Sequence, residues 1–300
     1  MHLSTTLVLL ATALTGASAL PSTAGGHRHA HVHARLHERG VQARSGKWIK
    51  HVQPAAPAAA YEEEATPTPT PTPTPAAAPS ETPASSSGGK KAFCNGESYR
   101  KRATSYDISY TGNTGTPGNW GCNIMQVDCS TVDLYDYAAK FKGAGSSSTS
   151  YACSAFNKIG PEGKIDGFWF SALDFNVKGG ETVCLAFDTD SQGGVACGAG
   201  SVPKTSNGQL SGTWAEFDFG SGKNGGQSGA DVSTIVADAD DGSRGIIAMT
   251  IDAPGKGTCS KLSLTNPSSS FEVYRGGMED EDGVGCKGYS KGCINITVGE

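Results

Sequence analysis

The stretch Thr213–Gly220 has the sequence TWAEFDFG, in which apolar and acidic side chains alternate. Ala215 and Phe217 fall on one side of an extended chain, and Glu216 and Asp218 fall on the other. Because successive side chains of a β-strand point to opposite faces, this alternation predicts a strand with one face in a core and one face in water. Such a strand needs a second layer to cover its apolar face.

Runs of the same kind recur between turns rich in Gly, Asn and Ser. Many short strands at regular spacing favour an antiparallel β-sandwich, and the 209 residues from 92 to 300 can bury one sizeable core. We therefore predict a single, mainly β domain over residues 92–300. Its other strand candidates are Gly167–Val177, Glu181–Asp190, Asp231–Asp238, Gly245–Ala253, Ser269–Gly276 and Gly292–Gly299.

Helical periodicity is scarce in this domain, so at most one or two short helices are expected. The best candidate is Thr131–Phe141, with Ser130 or Thr131 as the N-cap. We predict a helix there and strands elsewhere.

The first 19 residues have the pattern of a secretory signal peptide. Leu7–Leu14 is an apolar run, LVLLATAL, and Ala17-Ser18-Ala19 supplies the small residues of a cleavage site. No other segment approaches the roughly 20 apolar residues that a membrane span needs. We predict cleavage after Ala19, secretion to an extracellular or cell-wall location, and no membrane span in the mature protein.

Residues 20–91 are predicted to form a disordered stalk. Its first part, HRHAHVHARLH, holds five of the seven histidines, and Thr66–Pro75 is a pure Thr-Pro repeat. Because proline at every second position removes backbone donors and the repeat has nothing to bury, it should be a stiff, extended spacer. Alternating histidines can bind copper or zinc, but a propeptide of incidental composition is the simpler explanation.

All nine cysteines lie between Cys94 and Cys293, and in a secreted chain they indicate disulfides. An odd number leaves at least one cysteine free or paired between chains. No two of them have the C-x₂-C spacing of a zinc site. The sequence does not determine the connectivity, but three local pairs are plausible: Cys122 with Cys129, Cys184 with Cys197, and Cys286 with Cys293.

Residues 92–300 contain no histidine. This excludes a Ser-His-Asp or Cys-His nucleophile pair and a histidine-ligated catalytic zinc within the domain. The same residues carry 16 Lys and Arg against 24 Asp and Glu, a net charge of −8, which argues against nucleic-acid binding. We expect no metal and no cofactor, so any hydrolytic chemistry would depend on carboxylates.

Four carboxylates occur in two closely spaced pairs. Glu216 and Asp218 share one face of their strand, roughly 7 Å apart, and Asp188 and Asp190 are spaced in the same way at the end of another strand. One protonated and one ionised carboxyl group are the minimal equipment of a glycoside hydrolase. The more ordinary explanation, which we favour, is the solvent face of half-buried strands.

Three further features are candidates for modification or binding. Asn295-Ile296-Thr297 is an N-glycosylation sequon. The acidic tract Glu279–Asp282 suits calcium in composition but lacks the ligand order of an EF-hand, so a solvated loop is expected. Some aromatic side chains could stack on sugars, although packing in the core or in turns is their more common role: Tyr106, Tyr110, Trp120 and Trp169.

Three segments carry a resemblance to a known family: Ala155–Trp169, Gly180–Gly194 and, most of all, Thr213–Asp238. They resemble the fungal secreted-allergen family typified by Aspergillus fumigatus allergen four, which also has a signal peptide, a His- and Arg-rich segment and a stalk before the domain. The resemblance implies an extracellular or wall-associated fungal protein that binds host IgE. It implies no biochemical activity.

A looser likeness concerns the fold. The spacing of Cys184 and Cys197, the strand beginning at Trp214 and the following Asp231-Val-Ser are similar to thaumatin-like proteins. Those proteins are β-sandwiches with an acidic cleft, and some act on β-1,3-glucans. The likeness implies that Asp188, Asp190, Glu216 and Asp231 are the acids of interest.

The leading hypothesis is therefore a secreted protein of the fungal surface that is not an enzyme and binds cell-wall polysaccharide such as β-glucan. The first alternative is a carboxylate-dependent hydrolase or modifier of β-glucan, with candidate catalytic residues Asp188, Asp190, Glu216, Asp218 and Asp231. A second alternative is an effector that binds a small molecule or a protein.

Overall fold

The structure is a computed structural model, and it describes residues 89–97, 112–240 and 245–300. The predicted signal peptide and nearly all of the predicted stalk lie outside the described residues, as do the histidines and the aromatic residues Tyr106 and Tyr110. Within the described residues, no helix is long and apolar enough to cross a membrane.

The described residues form a mainly β fold, as the alternation predicts. The strands are β1 (Gly115–Thr116), β2 (Asn119–Trp120), β3 (Ile124–Val127), β4 (Tyr137–Gly143), β5 (Ser150–Asn157), β6 (Leu173–Lys178), β7 (Thr182–Phe187), β8 (Ser191–Ala199), β9 (Thr213–Ser221), β10 (Gln227–Ser233), β11 (Met249–Ala253), β12 (Gly257–Leu262), β13 (Val273–Tyr274), β14 (Cys286–Tyr289) and β15 (Gly292–Val298).

The helical elements are short. They are the α-helix α1 (Ile235–Ala239) and the 3₁₀ turns Phe93–Gly96, Cys129–Leu134, Gly167–Trp169, Gly222–Asn224 and Pro267–Ser269.

Two large sheets face each other. The first has the strand order β13-β10-β9-β8-β5-β6, with β14 also paired to β10, and the second has the order β12-β11-β15-β4-β7-β3. Pairing is antiparallel except between β10 and β13 and between β15 and β4. A separate hairpin joins β1 and β2. The predicted antiparallel β-sandwich is therefore confirmed.

The core lies between the two sheets and is rich in aromatic rings. Phe219 of β9 is fully buried there. Its ring stacks on Tyr137 with centroids 5.8 Å apart and lies 4.9 Å from the ring of Phe187. Because Tyr137 and Phe187 belong to the second sheet, these contacts join the two layers.

The prediction of a helix over Thr131–Phe141 is wrong for most of that range. A 3₁₀ turn covers Cys129–Leu134, and Asp128 caps it by accepting a hydrogen bond from the backbone N–H of Ser130 at 2.9 Å. From Tyr137 the chain is strand β4, paired with β15 and β7. Every second residue of β4 faces the core, and packing of that apolar face prevails over the local helical pattern.

Four disulfides cross-link the domain, and none of the three local pairs is formed. The bonds are Cys94–Cys122, Cys129–Cys184, Cys153–Cys197 and Cys259–Cys286, and Cys293 is the free cysteine.

Strand geometry explains why the local pairs fail. Cys122 and Cys129 lie beyond opposite ends of the extended strand β3. The distance between their Cα atoms therefore exceeds the roughly 7 Å that a disulfide can bridge. Cys184 and Cys197 belong to different sheets, and so do Cys286 and Cys293. Residues that are close in sequence are therefore held apart by the sandwich.

Replacing Phe219 by alanine should remove the aromatic contact between the sheets. We expect Phe219→Ala to lower the free energy of unfolding by about 3–5 kcal/mol, measured by urea denaturation. The matched control is Phe271→Ala, because Phe271 is 44% exposed and its loss should cost less than about 0.5 kcal/mol. Equal losses in the two variants would contradict this description of the core.

Candidate functional site

The face of the first sheet that points away from the core carries the candidate carboxylates. Strand β9 is buried along its whole length. Phe217 and Phe219 face the core, so Trp214, Glu216 and Asp218 face the other way. Glu216 and Asp218 are only 6% and 7% exposed. The prediction that they lie on a solvent face is therefore wrong, because this face is covered as well.

A second apolar cluster covers one end of this outward face. Phe156 and Trp214 pack there with ring centroids 4.8 Å apart, and Phe168 of the 3₁₀ turn Gly167–Trp169 lies over Trp214 at 6.2 Å. Leu210 and Val236 complete the cluster. The loops between strands thus form a third layer, and the carboxylates lie beside it.

Glu216 and Asp231 form a carboxyl pair. They are directly opposite each other on β9 and β10, and their carboxyl groups are close enough to share a hydrogen bond. Asp231 is completely buried, and neither of its carboxyl oxygens receives a hydrogen bond from an N–H or O–H donor. Two carboxyl groups can be joined in this way only when one of them holds a proton.

The electrostatics of this pair follow from burial. Loss of hydration raises the pKa of Asp231 well above its usual value, and the negative charge and hydrogen bonding of Glu216 raise it further. The pair therefore holds a proton at pH values where exposed carboxyl groups are ionised. Two carboxylates sharing one proton form a unit whose protons are released in two coupled steps.

Asp218 belongs to a second row of polar side chains, which crosses the sheet two residues further along β9 than Glu216. It lies opposite Gln192 of β8, and its Oδ2 accepts a hydrogen bond from the Asn224 side chain at 2.8 Å. On the far side of Gln192, the ammonium group of Lys158 donates to the Gln192 amide oxygen. The row therefore reads Lys158, Gln192, Asp218 across three strands.

Both charged ends of this row titrate close to neutrality. Burial raises the pKa of Asp218 to about 7, although the positive charge of Lys158 acts in the opposite direction. Burial likewise lowers the pKa of Lys158 to about 8, and the negative charge of Asp218 limits that effect. A carboxyl group in this state can donate a proton at pH values where exposed carboxyl groups are ionised.

Asp188 and Asp190 occupy the turn between β7 and β8, where the chain crosses from one sheet to the other. Asp188 accepts hydrogen bonds from the side chain of Asn113 and the backbone of Thr189, both at 2.9 Å. Asp190 accepts one from the backbone of Gly222 at 3.0 Å, and its negative charge contributes to the raised pKa of Asp218. Of these two residues, the structure links Asp190 to the carboxylate face.

Sequence reasoning does not single out Lys158 or Gln192. Lys158 directly follows β5 and Gln192 lies on β8, and no local motif relates them to Asp218. Only the register across β5, β8 and β9 brings the three together. A lysine directly after a strand that is apolar on both faces is the one available signal, and it is a weak one.

An aromatic ledge, consisting of Trp120 of β2 and Phe170, lies beside the loop that follows β5, whereas Trp169 packs on Phe168 with ring centroids 4.6 Å apart. Trp120 and Phe170 make an edge-to-face contact with centroids 6.0 Å apart, and the indole N–H of Trp120 donates to the backbone oxygen of Ile159 at 2.9 Å. Phe170 is 39% exposed, and the two tryptophans are half-buried. This is a fixed and partly exposed apolar surface.

Polar groups stand next to the ledge. The hydroxyl of Ser171 donates to the carboxylate of Asp174 at 2.6 Å, and both side chains are exposed. Aromatic surface beside exposed hydroxyl and carboxylate groups is the combination that small polar ligands use for orientation. The ledge can therefore offer both stacking and hydrogen bonding.

The remaining candidates are separate from these sites. Among the described residues, no three or more His, Cys, Asp or Glu side chains are grouped to hold a metal ion. The tract Glu279–Asp282 lies in a turn and an irregular loop, and Asn295 is exposed on β15 of the other sheet. The histidine-rich segment lies in the part of the chain that the structure does not describe.

Two layered sheets, four disulfides and a buried carboxylate face define a disulfide-bonded all-β sandwich domain. Comparison with known sequences then assigns the family. The chain belongs to the Allergen Asp f 4-like domain family, whose model matches residues 122–299. The resemblance inferred from Ala155–Trp169, Gly180–Gly194 and Thr213–Asp238 is confirmed.

The relatives cover only part of the chain. Allergen Asp f 4 of Aspergillus fumigatus is 37% identical over 183 residues, which are 60% of this chain and 54% of that protein. The chain thus spans about half the length of this curated relative.

Two solved structures are weakly similar. One is the protein elicitor MoHrip2 from Magnaporthe oryzae, with a TM-score of 0.31, 14% identity, and coverage of 55% of this chain and 99% of that one. The other is IP-1A from Alcaligenes faecalis, with a TM-score of 0.21, 11% identity, and coverage of 55% and 89%.

The shared proton of the Glu216–Asp231 pair should make stability depend on pH. Folded Asp231 holds its proton at pH values where the unfolded residue, with a pKa near 3.8, has lost it. Its contribution to stability is therefore fully present below about pH 4 and is lost as pH rises through the folded pKa. Asp231→Asn keeps a neutral donor toward Glu216 and should lose less stability than the wild type as pH rises above about 4.

Urea denaturation at a series of pH values measures this difference. Glu181→Gln is the matched control, since Glu181 is an exposed carboxylate directly before β7, and its pH profile should follow the wild type. An unchanged pH profile for Asp231→Asn would show that the pair does not share a proton.

Proposed function

We propose that this protein is a secreted fungal surface protein that binds cell-wall polysaccharide of the β-glucan class through the aromatic ledge and is not an enzyme. The proposal includes a signal peptide over residues 1–19, a stalk over residues 20–91 and one domain over residues 92–300. It places the protein outside the cell or in the wall. Binding of host IgE is part of the proposal, because the curated relative is named as an allergen.

The observation that carries the proposal is the partly exposed Trp120–Phe170 contact. An exposed aromatic ring normally moves, but here Trp120 is held at Ile159 by its hydrogen bond, and Phe170 follows directly after a 3₁₀ turn. Rigid rings bind a flat apolar surface with little loss of conformational freedom. The exposed faces of pyranose rings are surfaces of that kind, and Ser171 and Asp174 can bond their hydroxyl groups.

Four disulfides support the proposed location. Disulfides persist in oxidising compartments and are rare in the cytosol. Two of them tie the residues that flank β3 to the rest of the domain. A third joins two strands of the first sheet, and the fourth joins the first sheet to the second. A domain built in this way keeps its fold in the wall, where no reducing system protects free thiols.

A pull-down on insoluble β-glucan tests the binding function. We expect Phe170→Ala to weaken retention about tenfold, which corresponds to ~1.4 kcal/mol. Phe271→Ala is the control, because Phe271 is an exposed phenylalanine of similar accessibility outside the ledge. If the two variants bind as the wild type does, or if the wild type is not retained, the ledge is not a glucan site.

A second candidate function is hydrolysis of β-glucan by the carboxylate face, and the near-neutral pKa of Asp218 favours it. Glu216 and Asp231 are too close to be the two carboxyl groups of a glycosidase, which are at least about 5 Å apart. Asp218 and Glu216 are separated by two residues on β9, roughly 7 Å, and this falls within the range of inverting enzymes. In this scheme Asp218 is the proton donor and Glu216 the base.

Release of new reducing ends from laminarin distinguishes this function from binding. If the domain is a hydrolase, Asp218→Asn should lower the rate at least 100-fold, and Glu181→Gln should leave it unchanged. Sugar release that survives both Asp218→Asn and Glu216→Gln would remove these acids from the mechanism. Retention on glucan with no release by the wild type would leave the binding function alone.

A further inference from the structure

The outward face of the second sheet carries the sequon Asn295-Ile296-Thr297 on strand β15. This strand lies between β11 and β4, so it is a central strand. Ile294, Ile296 and Val298 are buried in the core, which turns Asn295 and Thr297 to the opposite face. Because side chains alternate along a strand, a shift of one residue would have buried the sequon instead.

Asn295 is exposed although its strand is central. Its neighbours across the sheet are Asp252 of β11 and Lys140 of β4. Within the described residues, neither Asn295 nor Thr297 uses its side chain in a hydrogen bond. Asn113, Asn123 and Asn157, by contrast, are buried and hydrogen-bonded. The sequon asparagine therefore has no structural role that a sugar would disturb.

No other asparagine of the chain begins a sequon that permits glycosylation. Asn266 is followed by Pro267 and Ser268, and proline at the middle position blocks the reaction. The one sequon that permits glycosylation thus begins at an asparagine that the fold leaves exposed, which the sequence alone does not require.

We propose that Asn295 carries an N-linked glycan and that this glycan covers the outward face of the second sheet around Cys293. The inference rests on the secretion included in the proposed function. A lipid-linked oligosaccharide diphosphate is the donor. The Nδ2 of Asn295 loses one hydrogen as a proton and forms a bond to C1 of the first sugar, and the bond from C1 to the lipid diphosphate breaks with its electron pair.

Cys293 gives the glycan a role. It is the free cysteine, it lies two residues before Asn295 on the same face, roughly 7 Å away, and it is only partly buried. Burial raises the pKa of its thiol, which slows oxidation but does not prevent contact with a second chain. A branched sugar on Asn295 blocks the approach of a second protein chain to this thiol. It thereby prevents an intermolecular disulfide.

Peptide mass spectrometry of the full chain secreted by a yeast host tests the modification. We expect the peptide containing Asn295 to carry hexose-rich glycan, and peptide N-glycosidase F to convert Asn295 to aspartate. Analysis at the peptide level assigns the glycan to this residue. Asn295→Gln and Thr297→Val should each abolish the modification, whereas Asn176→Gln, at an exposed asparagine outside any sequon, should not affect it.

Maleimide labelling of the native protein and non-reducing gels test the role. We expect maleimide to label Cys293 at least fivefold faster in the Thr297→Val variant than in the glycosylated protein. The variant should also form a covalent dimer. That dimer should vanish in Thr297→Val/Cys293→Ser.

Two results would overturn the inference. Protein recovered from the medium with an unmodified Asn295 would refute the glycan, while leaving secretion and glucan binding untouched. Equal labelling rates with and without the glycan would refute the protection of Cys293.

Discussion

Burial of strand β9 on both faces is the constraint on which the rest of the domain depends. One face completes the aromatic core against the second sheet, and the other carries Trp214, Glu216 and Asp218 under loops. A strand that alternates apolar and acidic residues can be buried on both faces only if its carboxyl groups are protonated or hydrogen-bonded. Asp231 on the neighbouring strand meets that condition for Glu216, and Asn224 meets it for Asp218.

The neighbouring strands are adapted to this arrangement. Gly194 of β8 lies opposite Glu216, and a β-carbon there would come within 2.6 Å of the Phe156 ring. The missing side chain leaves room for the tip of the Phe156 ring, which packs against Trp214. The apolar cluster and the carboxyl groups are therefore direct neighbours. The water-excluding surroundings raise the pKa values of Asp218 and Asp231.

The sequence predicts the strands better than it predicts what covers them. Alternation in Thr213–Gly220 identifies β9 and the face that Phe217 and Phe219 turn to the core, since that pattern is local. It does not reveal that Phe168, from a loop about 45 residues earlier, and Leu210, from the segment just before β9, close over the other face. The disulfides fail to be predicted for the same reason, because the topology of the sheets, and not the sequence spacing, decides which cysteines become neighbours. The family resemblance, carried by long strings of residues, is confirmed.

The position of β15 has a consequence for how the chain acquires its structure during synthesis. This last strand inserts between β11 and β4, and it runs parallel to β4, which lies some 150 residues earlier. Until it emerges from the ribosome, the second sheet exists only as two separate halves with unpaired edges. Cross-links such as Cys129–Cys184 can close within one half beforehand, but the second sheet can be completed only once β15 is available to pair with both halves.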